Sequence, residues 1–583
     1  MDIRATMETA LLRPAGGGRA GVHLPGGRRT VHMVAVAALT TVVAAGYSAV
    51  ALGLYHTFRT SSYDLVIFDQ AVRSYAHFRP GISIIKGLHN GFGPDFSVLG
   101  DHWSPIIASL APLYWIFNSP VTLLVAQAVL FALAIPPLWV FTRRAFGGGS
   151  KATAAAYLVS GAYALSWPIA SALAFDFHEV AFAPVLTAVA LERLSAGRLR
   201  TALVALGALL LVKEDMGLFV AGIGLYLAVS RPRVVRRQLA VGCALIVAGI
   251  AAAVIATYVL IPAFGGRSDY YWAYTALGPH APQAVWHLIT HPASLKLLAT
   301  PEVKLQTMLW LFGAFCFLSL RSPMALAAIP LLLERMLANL FPYWWITSYQ
   351  YNAYLVIILV FAAVDGAARL DRQWQARQHR AAGRERRPAA GAAAGEGGAN
   401  VDPGPGPPAG PPASRSPRSL APWSVAPWSV APWSVAPWSV ALGCAVAMCA
   451  VAVGLVPHFA FGPALHPSHY QRDAQETAAA AADAVVPGGV TVEAADNLGP
   501  QLSARDTVLL WDGDGHTPPF GAPWVVANVR QPQFTFTGVR EQKQRVALLE
   551  RNGYRLVFAR DGYVVLHRVG SRTGATASKE SAG

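Results

Sequence analysis

The chain has 583 residues, of which 54% are hydrophobic and only 13% charged. Soluble domains carry roughly a quarter charged residues, so a string of ordinary soluble domains is excluded, and most of the length falls in apolar runs long enough to span a bilayer. The net charge of +15 does not point to nucleic acid: the arginines cluster at span ends and in one linker, as cytoplasmic anchoring requires, and no basic face with interleaved aromatics accompanies them.

Residues 1–32 form a basic leader with Arg4, Arg13, Arg19, Arg28 and Arg29. The apolar run 33–55 is too long for a cleaved signal core and reads as a signal anchor, with the N-terminus in the cytoplasm. Residues 33–368 then read as a multi-spanning domain with outer loops at 56–104 and 263–303. The Pro-broken segment 103–117 fits a re-entrant or interfacial piece. Spans are expected at 121–141, at 153–172 and in a short stretch before Arg193. Basic clusters on both sides of 201–230 require a hairpin whose tip is Lys213-Glu214-Asp215, near the outer leaflet. Further spans are expected at 239–262, 304–320, 323–341 and 349–368. The four cysteines (Cys243, Cys316, Cys444, Cys449) all lie in apolar runs without metal-ligand spacing, and read as small core residues.

Residues 369–436 have the composition of a disordered cytoplasmic linker, rich first in Arg and then in Gly, Pro and Ala. Four identical copies of Ala-Pro-Trp-Ser-Val occupy 421–440. A five-residue period matches no solenoid class, so the copies read as expanded low-complexity sequence, or as a Trp-rich interfacial stretch. A last transmembrane helix is placed at 437–457. Residues 458–583 read as a small extracytoplasmic α/β domain with a disordered tail. Its helices are expected at 471–486 and 541–551, and its strands at 490–493, 508–511, 524–527, 554–559 and 563–567. Arg560-Asp561-Gly562 is the hairpin signal between the last two strands. The fold class is therefore an all-α polytopic membrane bundle of about eleven crossings plus that α/β domain, with the two ends on opposite sides.

Ionisable groups at membrane depth, or tucked against spans, are costly and mark candidate sites. In this sequence they share one side: Asp64, Asp69, His89, Asp95, Asp101, His102, Asp176, His178, Glu179 and the tip Lys213-Glu214-Asp215. Five residues turn a helix by about 500°, so Asp64 and Asp69 do not share a face. Asp64 reads either as the cap of a helix containing Asp69, or as a carboxylate placed to take a proton from an acceptor hydroxyl. His102 either orients a phosphate or carboxylate or caps the re-entrant segment. Asp176-x-His178-Glu179 has loose metal-pair spacing, and no His-Glu-x-x-His pattern supports a metal. Lys213-Glu214-Asp215 is either a solvated tip or a paired cluster that leaves a lysine for a lipid phosphate. Arg267, with Asp269, Tyr270, Tyr271 and Trp272, fits an amphiphilic ligand or an interfacial belt. No P-loop or dinucleotide fingerprint occurs, and neither a cofactor nor a metal is implied.

Several of these segments occur together in a known family. Tyr63-Asp64-Leu65 through Phe68-Asp69-Gln70, Gly100-Asp101-His102-Trp103-Ser104-Pro105, Phe177-His178-Glu179, Val212-Lys213-Glu214-Asp215 and Tyr349-Gln350-Tyr351 fall in order. They resemble a family of polytopic bacterial and archaeal membrane proteins known as domain of unknown function two-thousand-and-seventy-nine. The resemblance covers 40–365, with an echo at 497–505. That family is similar in layout to the C-type glycosyltransferases, which take sugar from a polyprenyl-phosphate carrier. The likeness implies a catalytic carboxylate in the first outer loop, at Asp64 or Asp69, with His102 in a partial match to a His-Pro-Pro-like segment.

Two functions follow from this reading. In the first, a membrane glycosyltransferase transfers a sugar from a polyprenyl-phosphate donor, with Asp64, Asp69 and His102 as the catalytic set. Lys213, Glu214, Asp215, Asp101, His178, Glu179 and Arg267 then bind substrate. In the second, the same charges serve a transporter or lipid flippase; a non-catalytic scaffold is a third possibility. Membrane lipid is the partner in each, and nothing in the sequence fixes an oligomeric state.

Overall fold

The structure, a computed structural model, describes residues 26–230, 236–385, 439–513 and 521–569. The first 25 residues, the tail after 569 and the pentapeptide copies up to residue 438 lie outside the described residues. Among the described residues, five helices are long and apolar enough to cross a membrane: Thr30–His56, Val121–Ala145, Gln238–Ala263, Gln350–Arg380 and Val440–His458. Burial separates them into centre and rim. The apolar window of Gln350–Arg380 is 83% buried, against 17% for Thr30–His56 and 22% for Gln238–Ala263 and Val440–His458. The central helix is thus surrounded by protein, while the rim helices turn apolar side chains outward, as a bilayer permits.

The other expected spans are broken into shorter pieces, each break with a local cause. In place of one helix over 153–172 stand Gly149–Ala164 and Trp167–Ala174, separated at Leu165-Ser166, with Pro168 in the first turn of the second. The stretch from 303 to 341 holds Val303–Gly313, two 3-10 turns and Ile329–Leu337. Cys316 and Phe317 have left-handed backbone there, and Pro323 and Pro330 start new turns. The hairpin expected over 201–230 is present as Leu199–Leu209 and Met216–Ser230, joined at Lys213-Glu214-Asp215. The linker begins later than its composition implies, because helix Ala353–Glu385 runs through residues 369–385.

Helix Met216–Ser230 lies against Arg236–Ile255 along a seam of small residues. A side chain at Gly217 would meet the carbonyl oxygen of Gly249 at 2.4 Å, and Gly224 faces Gly242 in the same way at 2.6 Å. Glycine brings the two backbones together where no larger residue fits, and dispersion across that contact holds membrane helices.

The C-terminal part is a five-stranded sheet of order β2-β1-β3-β5-β4, with β1 Thr491–Ala494, β2 Thr507–Leu510, β3 Trp524–Asn528, β4 Tyr554–Arg560 and β5 Tyr563–Arg568. β1 pairs parallel with β2 and β3, and β5 pairs antiparallel with β3 and β4. The β4–β5 turn is Asp561-Gly562, with φ of 47° and 90°, the double positive that a tight two-residue hairpin needs. Helices Ala474–Val485 and Val539–Arg551 accompany the sheet. The first starts with a reciprocal capping box between Asp473 and Glu476. Glu476 also pairs with Arg59 at 2.9 Å, tying that cap to the end of the first membrane helix.

Candidate functional site

Ser61 caps a single π-helical turn, Ser62–Val66, by accepting the amide N–H of Tyr63. Asp64 sits inside this turn, so it is not the cap expected for the following helix. The turn is gripped from two sides. The Ser61 amide donates to Asp176 Oδ2 at 2.8 Å. Asp496 of the sheet domain accepts from Ser61 Oγ at 3.1 Å and from the Tyr63 amide at 3.0 Å through its carboxylate. Its carbonyl accepts from the Ser62 amide at 2.7 Å and from Ser62 Oγ at 2.6 Å. With its backbone fixed, the turn leaves the Asp64 side chain about one quarter exposed, its Oδ1 3.3 Å from His178 Nε2.

His178 and Glu179 are consecutive, and they join two halves of the site. Glu179 Oε1 lies 3.3 Å from Lys213 Nζ, whose ammonium also faces the Tyr351 ring at 5.8 Å. The neighbouring Glu214 takes His102 Nδ1 at 2.7 Å and the Trp103 amide at 3.1 Å. His102 stacks on Tyr271, rings 4.7 Å apart, and the Tyr271 hydroxyl donates to Asp101 at 2.8 Å. Asp101 in turn pairs with Lys86 at 3.0 Å, and Lys86 reaches the Tyr63 hydroxyl at 3.3 Å, next to Asp64 in the chain. The network therefore returns to the turn where it began. Among the described residues, His178 Nδ1, Glu179 Oε2 and Asp215 Oδ1 are buried without a hydrogen-bond partner. Buried polar atoms left open in this way mark a place for a ligand or water.

Burial and charge set the protonation around the mouth. Burial pushes the Asp101 carboxyl up, but Lys86, His102 and the Tyr271 hydroxyl outweigh it and hold the group below its usual range. Burial and Lys213 work against a charged His102, while Glu214 and Asp101 hold its pKa above the ordinary value. Lys86 is buried, yet Asp101 and the tyrosine ring hydroxyls around it keep it firmly cationic. Burial raises Asp496 to about 6, against the lowering effect of the Tyr63 amide and Ser61 hydroxyl. Burial also lifts Asp176 well above the carboxylate range, and the nearby Asp64 and Asp496 add to it.

Two expected site residues, Asp69 and Arg267, lie away from the network. Asp69 has no exposed surface: Arg73 Nη2 holds one oxygen at 2.8 Å and Tyr114 OH the other at 2.8 Å. It clamps its helix instead of facing substrate, since five residues of helix carry it off the face of Asp64. Burial raises it to about 6 despite Arg73. Arg267 is two-thirds exposed and folds onto Asp269 at 3.0 Å, outside the network. Asp176, His178 and Glu179 diverge to Ser61, Asp64 and Lys213 respectively, and no cluster among the described residues groups three metal-ligating side chains.

Sequence reasoning missed Lys86, Asp496 and Asp512, the last lying 3.1 Å from His89. Lys86 had a local signal, a lone lysine between apolar residues and Gly87 on a short helix. Asp496 and Asp512 had none, because their partners lie more than 420 residues away.

No curated protein is similar enough to this chain to match. Among solved structures, the crystal structure of ArnT from Cupriavidus metallidurans bound to undecaprenyl phosphate is similar with a TM-score of 0.47 and 14% identity, covering 94% of this chain and 100% of that one. The likeness is loose at that score and carries no reaction to this chain. Residues 54–384, more than half of the 583, match a family model described as "Predicted membrane protein (DUF2079)". By that match, which takes in Asp64, Lys86, Asp101, His102, His178, Glu179 and Lys213 alike, the chain belongs to the DUF2079 family of membrane proteins.

Proposed function

We propose that this protein is a membrane glycosyltransferase, moving a sugar from a polyprenyl-phosphate donor to an acceptor on the non-cytoplasmic side. The observation that carries the proposal is the bridge His178-Glu179, which sets a partly open carboxylate, Asp64, and a lysine, Lys213, on consecutive residues at 3.3 Å each. Base and phosphate-binding cation are thereby held in one mouth. In the reaction, the acceptor hydroxyl oxygen attacks the anomeric carbon of the donor sugar. Its proton passes to Asp64, the bond from that carbon to the phosphate oxygen breaks, and the lipid phosphate leaves against Lys213. Among the described residues, Glu179 is the one carboxylate in ion-pair contact with the Lys213 ammonium and Tyr351 the ring beside it, which leaves an N–H for an incoming oxygen. His178 orients Asp64 through its contact with Oδ1. Direct displacement needs no nucleotide and no cofactor.

A relay for transport would spread ionisable groups through the depth of the bundle. The connected set here instead gathers around two loops and one hairpin tip, which favours the transferase. Asp64→Asn is expected to lower sugar transfer by about 10²–10⁴-fold, the usual contribution of a general base. The assay is release of sugar from a panel of polyprenyl-phosphate sugars by the purified full chain, with membrane insertion measured in parallel. Undiminished turnover in a normally inserted variant removes Asp64 as the base.

A further inference from the structure

One cavity lies away from the acidic mouth. Helix Phe182–Ser195 starts three residues past Glu179 and is 14 residues long, about 20 Å along the bundle at the helical rise. At that far end a cavity of about 610 Å³ is lined by Val140, Arg144, Arg193, Ser195, Ala196 and Arg198. Its volume is in the range of sites that enclose small ligands or headgroups. Three guanidiniums face it. Among the described residues, one carboxylate pairs with them: Glu192, buried between Arg144, at 2.5 Å, and Arg193. Three positive charges against one negative leave two unbalanced. Arg144 also donates to Ser195 Oγ at 3.0 Å, which fixes its head at the cavity wall.

Arg198 is exposed and forms no ion pair among the described residues. It is also the N-cap of helix Leu199–Leu209, whose first turn has no side-chain cap. The positive end of that helix therefore begins directly after Arg198, a residue of the cavity lining, and adds to the field of the arginines. Val140, 37% exposed, adds an apolar wall beside the charges.

We infer that this cavity binds the phosphate headgroup of an anionic phospholipid, in the leaflet opposite the acidic mouth. Arg193 and Arg198 contact the phosphate, Arg144 and Ser195 frame it, and the acyl chains run outward past Val140. A basic pocket between membrane helices is a recognised way of holding such lipids. The leader segment of this chain is a poor occupant, because Arg4, Arg13 and Arg19 would add positive charge to positive.

The test uses the full chain, delipidated in neutral detergent, followed by native mass spectrometry and thermal unfolding. Cardiolipin, phosphatidylglycerol, phosphatidylcholine and inorganic phosphate are the probes. Cardiolipin and phosphatidylglycerol are expected to persist as discrete adducts and raise the melting temperature, and the other two to do neither. Arg198→Gln is expected to weaken the adduct about fivefold, the worth of one arginine near a charged lipid, while melting without lipid stays unchanged. Arg200→Gln, on the same helix but outside the cavity lining, leaves the adduct intact. Equal retention of phosphatidylcholine, equal affinity in Arg198→Gln, or protection by inorganic phosphate alone each overturns the assignment.

Discussion

Glu493 shows how a single buried group writes pH into stability. It lies in β1, almost fully buried, with Oε1 unpartnered. Burial raises its pKa from 4.5 to about 8, Arg545 opposes this and Asp512 adds to it. The folded chain thus keeps a proton that the unfolded chain has already lost. The unfolded state binds fewer protons across that interval, so the contribution to stability falls as pH rises from about 4.5 to about 8. Glu493→Gln is expected to flatten that slope, with a higher melting temperature at pH 8 and little change at pH 4.5. Scanning calorimetry of the full chain at the two pH values checks it; an unchanged slope in the variant would place the proton elsewhere. The same scale decides what was legible in the mouth. Asp64, His102, His178, Lys213 and Glu214 stood out because each is an ionisable residue inside or beside an apolar run. Asp69 carried the same local signature, yet Arg73 and Tyr114 consume it. Composition marks an ionisable residue as costly, but only its partners separate a clamp from a reactive group.

At the scale of elements, the glycine seam between helices Met216–Ser230 and Arg236–Ile255 makes a sharp demand. A valine at Gly249 must displace the Gly217 carbonyl, 2.4 Å from the added carbon, and the Ala221 amide nitrogen at 2.6 Å. Neither can yield without parting the helices. Gly249→Val is therefore expected to destabilise the bundle by about 1–3 kcal/mol or more, in line with overpacked cores. Tryptophan fluorescence during thermal unfolding in detergent would register this as a melting point lower by several degrees; Gly454→Val, with open space around it, serves as the silent control. The sheet strands were readable to within a residue or two, since β-branched runs and an Asp-Gly turn act locally. The spans were less so. Hydropathy counts apolar residues without regard to Pro168, Pro323 or the left-handed backbone at Cys316, which cut continuous runs into short pieces. Lys304 escaped notice for a similar reason: its ammonium sits among the carbonyls of Leu297, Met336 and Ala338, which only tertiary structure brings together.

Across the whole molecule, the sheet domain and the first loop form one unit. Besides the grip of Asp496, Gln70 donates to the Val508 carbonyl at 2.8 Å, and Arg73 donates to the Ser503 carbonyl. Removing the Asp496 carboxylate by Asp496→Ala deletes two of the four bonds that Asp496 makes to residues 61–63. At about 1 kcal/mol per bond, backbone amides of residues 61–66 are expected to exchange hydrogen at least tenfold faster, while those of helix Gln350–Arg380 stay protected. Exchange mass spectrometry reads both segments at once; unchanged protection at 61–66 would show that Asp176 and the residue 496 carbonyl hold the turn without the carboxylate.

Asp496 and Ser61 are 435 residues apart in the chain. Synthesis runs from the N-terminus, so the first membrane helix and the loop after it emerge long before the residue that shapes them exists. Throughout that interval the turn around Asp64 has half its scaffold missing, and the nascent protein is a membrane-embedded chain without a finished mouth. The turn takes its final shape only when the sheet domain folds back onto the first loop, so any chain cut short ahead of residue 496 lacks the contacts that Asp496 makes to Ser61, Ser62 and Tyr63.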